Sequence, residues 1–332
     1  MARSINKGPK PAGGYGKVSS TALQQAKEKQ AKRLAPKPEA KPMRSKAPPV
    51  KRAAVYQDMA HTVAVALVRA QKHGTPKLDA RMLLLHALGQ DPHDAAWLIV
   101  NDGVEMSATQ AEAFVALCAR RRAGEPVAYI LGHKAFYGLR LAIDARVLDP
   151  RDDTETLVDW ALEHTASTVL DLGTGSGAIA LALQSQRPAW QVHATDTSEG
   201  ALAVARANAA ALNLPVQFHH GDWLEAVVGQ RFDLIVSNPP YIAATDPHLA
   251  ALQHEPQSAL VSGADGLDDI RRIISSAPAC LKTDGWLLLE HGHDQAAAVR
   301  ALLSAAGFDK PVSRTDLADI ERCSGAQWPG RG

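Results

Sequence analysis

Between Thr168 and Gln186 an apolar run ends in a glycine-studded turn, Asp171-Leu-Gly-Thr-Gly-Ser-Gly177, and passes at once into a helix-forming stretch. Few folds accept that order. Strand, tight turn and helix form the opening unit of an open α/β sheet, whose ligand sits at the carboxyl end of the strand. The glycines at 173, 175 and 177 let the backbone turn sharply and come within contact distance of a ligand. The helix beginning near Gly177 offers free N–H groups suited to a carboxylate or phosphate. The spacing is GxGxG rather than GxGxxG, which leaves little room for a dinucleotide pyrophosphate.

The same alternation continues downstream. The runs Thr168–Leu172, Gln191–Thr195, Val216–His219, Phe232–Ser237 and Trp286–Glu290 read as buried parallel strands. Helical segments Ala178–Gln186, Glu199–Leu212, Asp268–Leu281 and Gln295–Ala306 fall between them. This predicts an α/β fold with an open, doubly wound sheet. Upstream, Val63, Leu67 and Ala70 recur at helical spacing, followed by Leu78 to Leu88, Ala95 to Val100 and Ser107 to Arg122. Ser107 is placed to cap, and Gly74, Gly89 and Gly124 punctuate the ends, so a small helical bundle is expected. Phe136 to Leu148 alternates apolar and polar residues with Gly138 in a turn or bulge, which predicts a short hairpin. Asp152 and Asp153 are expected to cap a helix over Thr154–Glu163.

Residues 1–54 are of another kind, rich in Lys, Pro, Ala and Gly with almost no large apolar side chains. Residues 1–52 hold 14 Lys and Arg against two acids, whereas the remainder holds 22 against 33. Such a segment cannot bury enough surface to offset its ordering entropy, so a disordered basic extension is expected, attracted weakly to RNA or another polyanion. The predicted division is therefore 1–54 extension, 55–133 helical domain, 134–150 hairpin linker and 151–332 α/β domain. No apolar run approaches the ~20 residues of a membrane helix, and no secretory signal is read near the N-terminus. Cys118, Cys280 and Cys323 are scattered and odd in number, which excludes a disulfide framework and fits a reducing, cytoplasmic location.

Two further strand ends describe the ligand. Asp196 closes the second strand of the α/β domain, where a carboxylate can accept both hydroxyls of a ribose. Gly221-Asp222-Trp223 follows the third, bringing an acid and an aromatic face to the position of an adenine. The fourth ends in Asn238-Pro239-Pro240-Tyr241. An amide or exocyclic amine is a poor nucleophile because its lone pair is delocalised. The Asn238 side-chain oxygen and the Pro239 carbonyl can accept the two N–H bonds of a planar –NH2. Pro239 and Pro240 stiffen the turn, and Tyr241 offers a flat face. His291 and His293 flank Gly292, and His219 and His220 are adjacent, but no third ligand cluster accompanies them, so no metal site is expected. Trp160, Trp190, Trp286 and Trp328 read as core or rim aromatics.

Together, Asp171–Gly177, Asp196, Gly221–Trp223 and Asn238–Tyr241 resemble the class I N-methyltransferases. The segments Gly124-Glu-Pro-Val-Ala-Tyr-Ile-Leu-Gly132, Phe136-Tyr-Gly138 and Val147-Leu-Asp-Pro-Arg-Asp-Asp-Thr-Glu155 look like those of the PrmC/HemK release factor glutamine methyltransferases. The similarity spans residues 57–329, and Glu290-His-Gly292 and the ending Ile320–Trp328 also fit. The resemblance implies a Rossmann-like class I fold with a seven-stranded, mostly parallel sheet. It implies S-adenosylmethionine as cofactor, held by Gly173, Thr174, Gly175, Ser176, Gly177, Asp196, Asp222, Trp223 and Asn238. Asn238, Pro239, Pro240 and Tyr241 would bind the substrate glutamine, with Asn238, Pro239 and Tyr241 catalytic. The substrate would be the Gly-Gly-Gln loop of peptide chain release factors, gripped partly by the helical domain. Two positions depart from the family: Asp149 stands where an aliphatic residue is usual and Asp152 where a second proline is usual. The same tetrapeptide also serves adenine-N6 methyltransferases, and nucleic acid is the alternative substrate. The acidic body argues against that alternative.

Overall fold

The computed structural model describes residues 62–330, so the basic extension 1–54 lies outside the described residues. Five helices open the described residues: α1 Val63–Lys72, α2 Lys77–Ala87, α3 Ala95–Val100, α4 Ala108–Arg122 and α5 Val127–Leu131. Local chemistry sets their starts. At α4 the Ser107 hydroxyl accepts from Gln110 N at 3.2 Å while Gln110 Oε1 accepts from Ser107 N at 2.9 Å. This capping box satisfies two donors that the helix cannot. Leu83, Leu84, Leu98, Phe114, Ile130 and Leu131 bury their side chains in one shared core. Helix α5, not anticipated from the sequence, is one short turn fitted between Pro126 and left-handed Gly132.

The hairpin is β1 His133–Phe136 with β2 Leu139–Ala142, three residues earlier at its start than the alternation suggested. Tyr137 and Gly138 both take positive φ, 48° and 77°, as a two-residue hairpin turn demands. The pairing stops at Ala142 because Asp144 folds the chain over, its carboxylate accepting from Arg146 N at 3.0 Å. Tyr137 then ties the hairpin to the next helix, donating from its main-chain N to Glu155 and from its hydroxyl to Asp159.

Helix α6 (Glu155–Leu162) is entered through a 3-10 turn, Asp152–Thr154. The expected caps are corrected here. Asp152 pairs with Lys134 at 3.2 Å and Asp153 with Arg322 at 3.2 Å, while neither caps the helix. The extra 3-10 turn places both acids before the free N–H groups they were expected to meet.

The α/β part follows as β3 Thr168–Leu172, α7 Ala178–Gln186, β4 Gln191–Asp196, α8 Glu199–Leu212, β5 Val216–His220 and β6 Phe232–Ser237. It is completed by α9 Asp268–Cys280, β7 Leu281–Glu290, α10 Ala296–Ala305, β8 Asp309–Thr315 and β9 Glu321–Gln327. The seven strands lie in the order β5-β4-β3-β6-β7-β9-β8, parallel from β5 to β7, with β9 antiparallel to both neighbours. This is the class I methyltransferase arrangement. One apolar layer packs α6, α7 and the hairpin on one face of the sheet; the other packs α9 and α10 on the opposite face. Strand β7 is five residues longer at its start than the sequence suggested, pairing Leu281 with Phe232 across a register shift. No helix among the described residues is long and apolar enough to cross a membrane.

Candidate active site

The turn after β3 is built for close approach. Gly173, Gly175 and Gly177 hold φ of 68°, 55° and 84°. A Cβ on Gly173 would stand 3.1 Å from Cζ3 of Trp223, so the bare backbone lets the indole lie against the loop. Thr174 turns inward, its hydroxyl donating to Asp171 Oδ2 at 2.7 Å and its N donating to Thr195 O at 2.9 Å. Ser176 is buried, and its carbonyl accepts from Asn208. Thr174 thus spends its hydroxyl, N and carbonyl inside the protein, whereas the buried Ser176 hydroxyl has no partner among the described residues.

Asp171 was quoted within the glycine motif but not singled out as a site residue. Its Oδ2 accepts from Thr174 and from Ala180 N, while Oδ1 is buried with no partner among the described residues. Burial pushes its carboxyl up to about 7. Asp196, at the end of β4, accepts from Gly175 N at 2.9 Å and from Ser198 N at 2.8 Å, and burial raises its pKa too. Each Asp196 oxygen takes one backbone donor and keeps a lone pair, as a carboxylate receiving two ribose hydroxyls requires. Asp222 is held by Arg272, and Trp223 donates from Nε1 to Asp269 at 3.2 Å. That pair of bonds fixes the indole beside Gly173. The orphaned Asp171 oxygen, the open glycine turn, the Asp196 lone pairs and the indole face together fit a cationic amino acid joined to a nucleoside, the chemistry of S-adenosylmethionine.

Strand β6 runs beside β3 and delivers the acceptor turn next to that cradle, with Ser237 Oγ donating to Leu172 O at 2.8 Å. Asn238 Nδ2 donates to Thr154 Oγ1 at 3.1 Å, which turns Oδ1 away from Thr154. Pro239 and Pro240 are buried in trans peptides. Tyr241 donates its hydroxyl toward Glu290 Oε1 at 3.4 Å, and its carbonyl accepts from Gln295 Nε2 at 3.1 Å. Gly266 (φ 76°) packs against that carbonyl; a Cβ there would fall 2.2 Å from Tyr241 O. A cavity of about 260 Å³ opens before the turn, walled by Asn238, Tyr241, Arg151, Leu148, Ile242 and Leu260.

Thus Gly173–Gly177, Asp196, Trp223 and Asn238–Tyr241 converge at the carboxyl ends of adjacent strands. Asp222 stands beside them in an ion pair. The residues that brace the turn were not proposed from the sequence as site residues: Thr154, Glu290, Glu255 and Gln295. Glu255 holds Arg151 at 2.6 Å and accepts from Asp149 N at 3.3 Å. Asp149, one of the two departures, is buried with Oδ1 unpartnered among the described residues, and burial raises its pKa. His291 is spent on the fold: Nδ1–H donates to Gly292 O and Nε2 accepts from Ser324. His193 and His219 stack at the sheet edge, 5.2 Å between ring centres. Trp160, Trp190 and Trp328 are buried in the core, with Trp286 packed against it.

Two family models match this chain. Residues 60–132 match the PrmC N-terminal domain family and residues 149–304 the methyltransferase small domain family. The release factor glutamine methyltransferase of Xylella fastidiosa is 48% identical over 273 residues, covering 80% of this chain and 98% of that protein. Its counterpart in Pseudomonas aeruginosa is 48% identical over 275 residues, covering 80% and 99%. The Bordetella pertussis protein of the same name is 49% identical over 259 residues, covering 76% and 95%.

Proposed function

This chain belongs to the release factor glutamine methyltransferase family, and we infer from it the reaction and the role of each residue at the site. The protein transfers the methyl group of S-adenosylmethionine to the side-chain amide nitrogen of the glutamine in the Gly-Gly-Gln loop of peptide chain release factors. The observation that carries the site assignment is the Asn238–Thr154 hydrogen bond. By committing Nδ2 inside the protein, it leaves Oδ1 as an acceptor on the cavity side.

Gly173, Thr174, Gly175, Ser176 and Gly177 would form the turn against which the cofactor lies, with Asp171 and Asp196 offering carboxylates, Trp223 its ring face, and Asp222 standing at the same end through the pair with Arg272. Bound S-adenosylmethionine supplies an electrophilic methyl on a sulfonium. Asn238 Oδ1 and the Pro239 carbonyl accept the two N–H bonds of the glutamine amide. This fixes the nitrogen in line and raises its electron density. Pro240 stiffens the turn and Tyr241 flanks the planar group. Orientation of this kind can supply about 7–11 kcal/mol of the barrier. No dedicated base is needed, because the nitrogen sheds its proton once alkylated.

The helical domain, 55–133, is assigned to gripping the release factor, the hairpin 134–150 to linking, and 151–332 to the chemistry. The basic segment 1–54 is assigned a weak polyanion contact, and the cytoplasm is the expected location of an enzyme of translation termination. One assay tests substrate and segment together. Purified protein is given labelled S-adenosylmethionine with either a release factor or RNA. Label is expected on the factor alone, at an equal rate when residues 1–54 are removed, with RNA retention lost in the shortened protein. Label on adenine and none on the factor would establish the nucleic-acid reading instead.

A further inference from the structure

Glu290 ends β7 and is 2% exposed. Ser237 pairs with Leu289 in the sheet, so Glu290 lies one step further on, beside Asn238. One oxygen, Oε1, accepts from the Tyr241 hydroxyl at 3.4 Å, while Oε2 has no partner at hydrogen-bond distance among the described residues. Thr154, 3% exposed, accepts from Asn238 Nδ2 at 3.1 Å, and its hydroxyl lies near the same carboxylate without a hydrogen bond to it in this structure. A hydroxyl has one proton to give. If Thr154 gives it to Glu290, its lone pairs face Asn238, and the amide must present Nδ2 to them. An ionised carboxylate can only accept, so its charge favours that direction for both neighbouring hydroxyls.

We propose that Glu290 is a positioning residue for methyl transfer: through Thr154 it fixes the Asn238 amide with Oδ1 toward the acceptor nitrogen, and through Tyr241 it steadies the ring beside it. The proposal rests on Asn238 Oδ1 as the acceptor of the substrate N–H. The remaining groups around Glu290 are Asp153 on the 152–154 turn, Arg322 and Cys323 on β9, and His291 on its own chain. Burial lifts the Glu290 carboxyl to about 7, with the Thr154 and Tyr241 hydroxyls opposing the rise. The relay is charged above that pH and neutral below it, so turnover rises with pH through about 7.

The test measures kcat at saturating S-adenosylmethionine and release factor across roughly pH 5.5–8.5 for wild type, Glu290→Gln, Thr154→Val and Thr154→Ser. A glutamine at 290 presents donors as well as an acceptor and can reverse the hydroxyl chain. At pH 8, Glu290→Gln is expected to lose about 10²-fold in kcat, the scale of a small misplacement, with KM for the cofactor nearly unchanged. Its pH profile should lose the inflection near 7. Thr154→Val should fall to a similar rate, Thr154→Ser should recover most of it, and the double variant should fall no further than Glu290→Gln alone. Should Glu290→Gln fail to fold, the contrast between valine and serine at 154 decides. Wild-type kcat and an intact inflection in Glu290→Gln, or equal rates for the two 154 variants, would overturn the proposal. Asn238→Ala separates the two levels: its inactivity beside an active Glu290→Gln condemns the relay and spares the acceptor site, while its activity condemns the acceptor site beneath both.

Discussion

Replacing Asn238 by alanine is expected to lower kcat by about 10³-fold or more, because positioning and preorganised polarity are both lost. Binding of S-adenosylmethionine should be weakened but remain measurable. The two effects differ because the residues differ. In the proposed assignment the cofactor is held mainly by the Gly173–Gly177 turn, Asp171, Asp196 and Trp223, whereas the acceptor amide has only Asn238 Oδ1 and the Pro239 carbonyl to receive its protons. Alanine also leaves the Thr154 hydroxyl, 3% exposed, without its Asn238 donor. Steady-state turnover and calorimetric cofactor binding on one preparation separate the two quantities. Near-normal turnover in the purified variant would contradict the mechanism.

Asp171→Asn is expected to stabilise the ligand-free protein and to weaken cofactor binding, opposite signs from one atom. The Asp171 carboxyl sits at about 7 in the fold because it is buried, well above its ordinary value. A carboxyl raised in the folded state contributes stability that is complete below the unfolded pKa of about 4 and is lost as pH rises toward 7. At pH 8 the charged group therefore costs about 2–4 kcal/mol relative to a neutral one. Asparagine is isosteric. Its oxygen can keep the bonds from Thr174 and Ala180 N, and its NH2 replaces the unpartnered Oδ1. The melting temperature of Asp171→Asn should thus match wild type near pH 4.5 and exceed it by roughly 5–10 °C at pH 8. A cationic amine of the cofactor would then meet a donor instead of an acceptor, and affinity should fall roughly 10- to 100-fold. A difference in melting temperature that does not change with pH would contradict the buried charge. Unchanged affinity would remove Asp171 from the cofactor site.

The helices Ala178–Gln186 and Glu199–Leu212 and the strands Thr168–Leu172 and Phe232–Ser237 fall where hydrophobic pattern placed them. Each is bounded by strong punctuation and buried on the sheet. Strands β8 and β9 left no such trace. Asp309–Thr315 is a polar edge strand, and Glu321–Gln327 opens on two charged residues and continues in small ones, so tertiary pairing rather than local pattern makes them extended. The count of seven strands came from resemblance alone. Likewise α5 is five residues long, too short for periodicity to register.

At the site, the residues assigned to ligand are legible because they sit in contiguous motifs at strand ends. Those that brace them are not, because their partners are remote in the chain. Thr154 reaches Asn238 across 84 positions and Glu290 reaches Tyr241 across 49. A signal existed for two of them: Asp171 and Glu290 are charged residues inside or closing otherwise apolar strands. Burying such a group without a full set of partners is costly and accordingly points to function. Arg151 and Glu255 had no comparable mark, since an arginine in a loop and a glutamate before Pro256 look like ordinary surface residues. Asp149 stands where the family resemblance implies an aliphatic residue, and the Arg151–Glu255 pair forms beside it.

The central claim is that this site methylates one glutamine amide in a folded release factor. The most direct measurement is peptide-resolved mass spectrometry of a release factor after reaction with the purified protein and S-adenosylmethionine, beside its Gln→Ala variant in the Gly-Gly-Gln loop and a free peptide of that loop. A single added methyl is expected on the loop glutamine of the intact factor and none on the variant. The peptide should react far more slowly, because contacts remote from the amide supply the energy that positions it. Methyl on any other residue of the factor, or undiminished methylation of the Gln→Ala variant, would contradict the account.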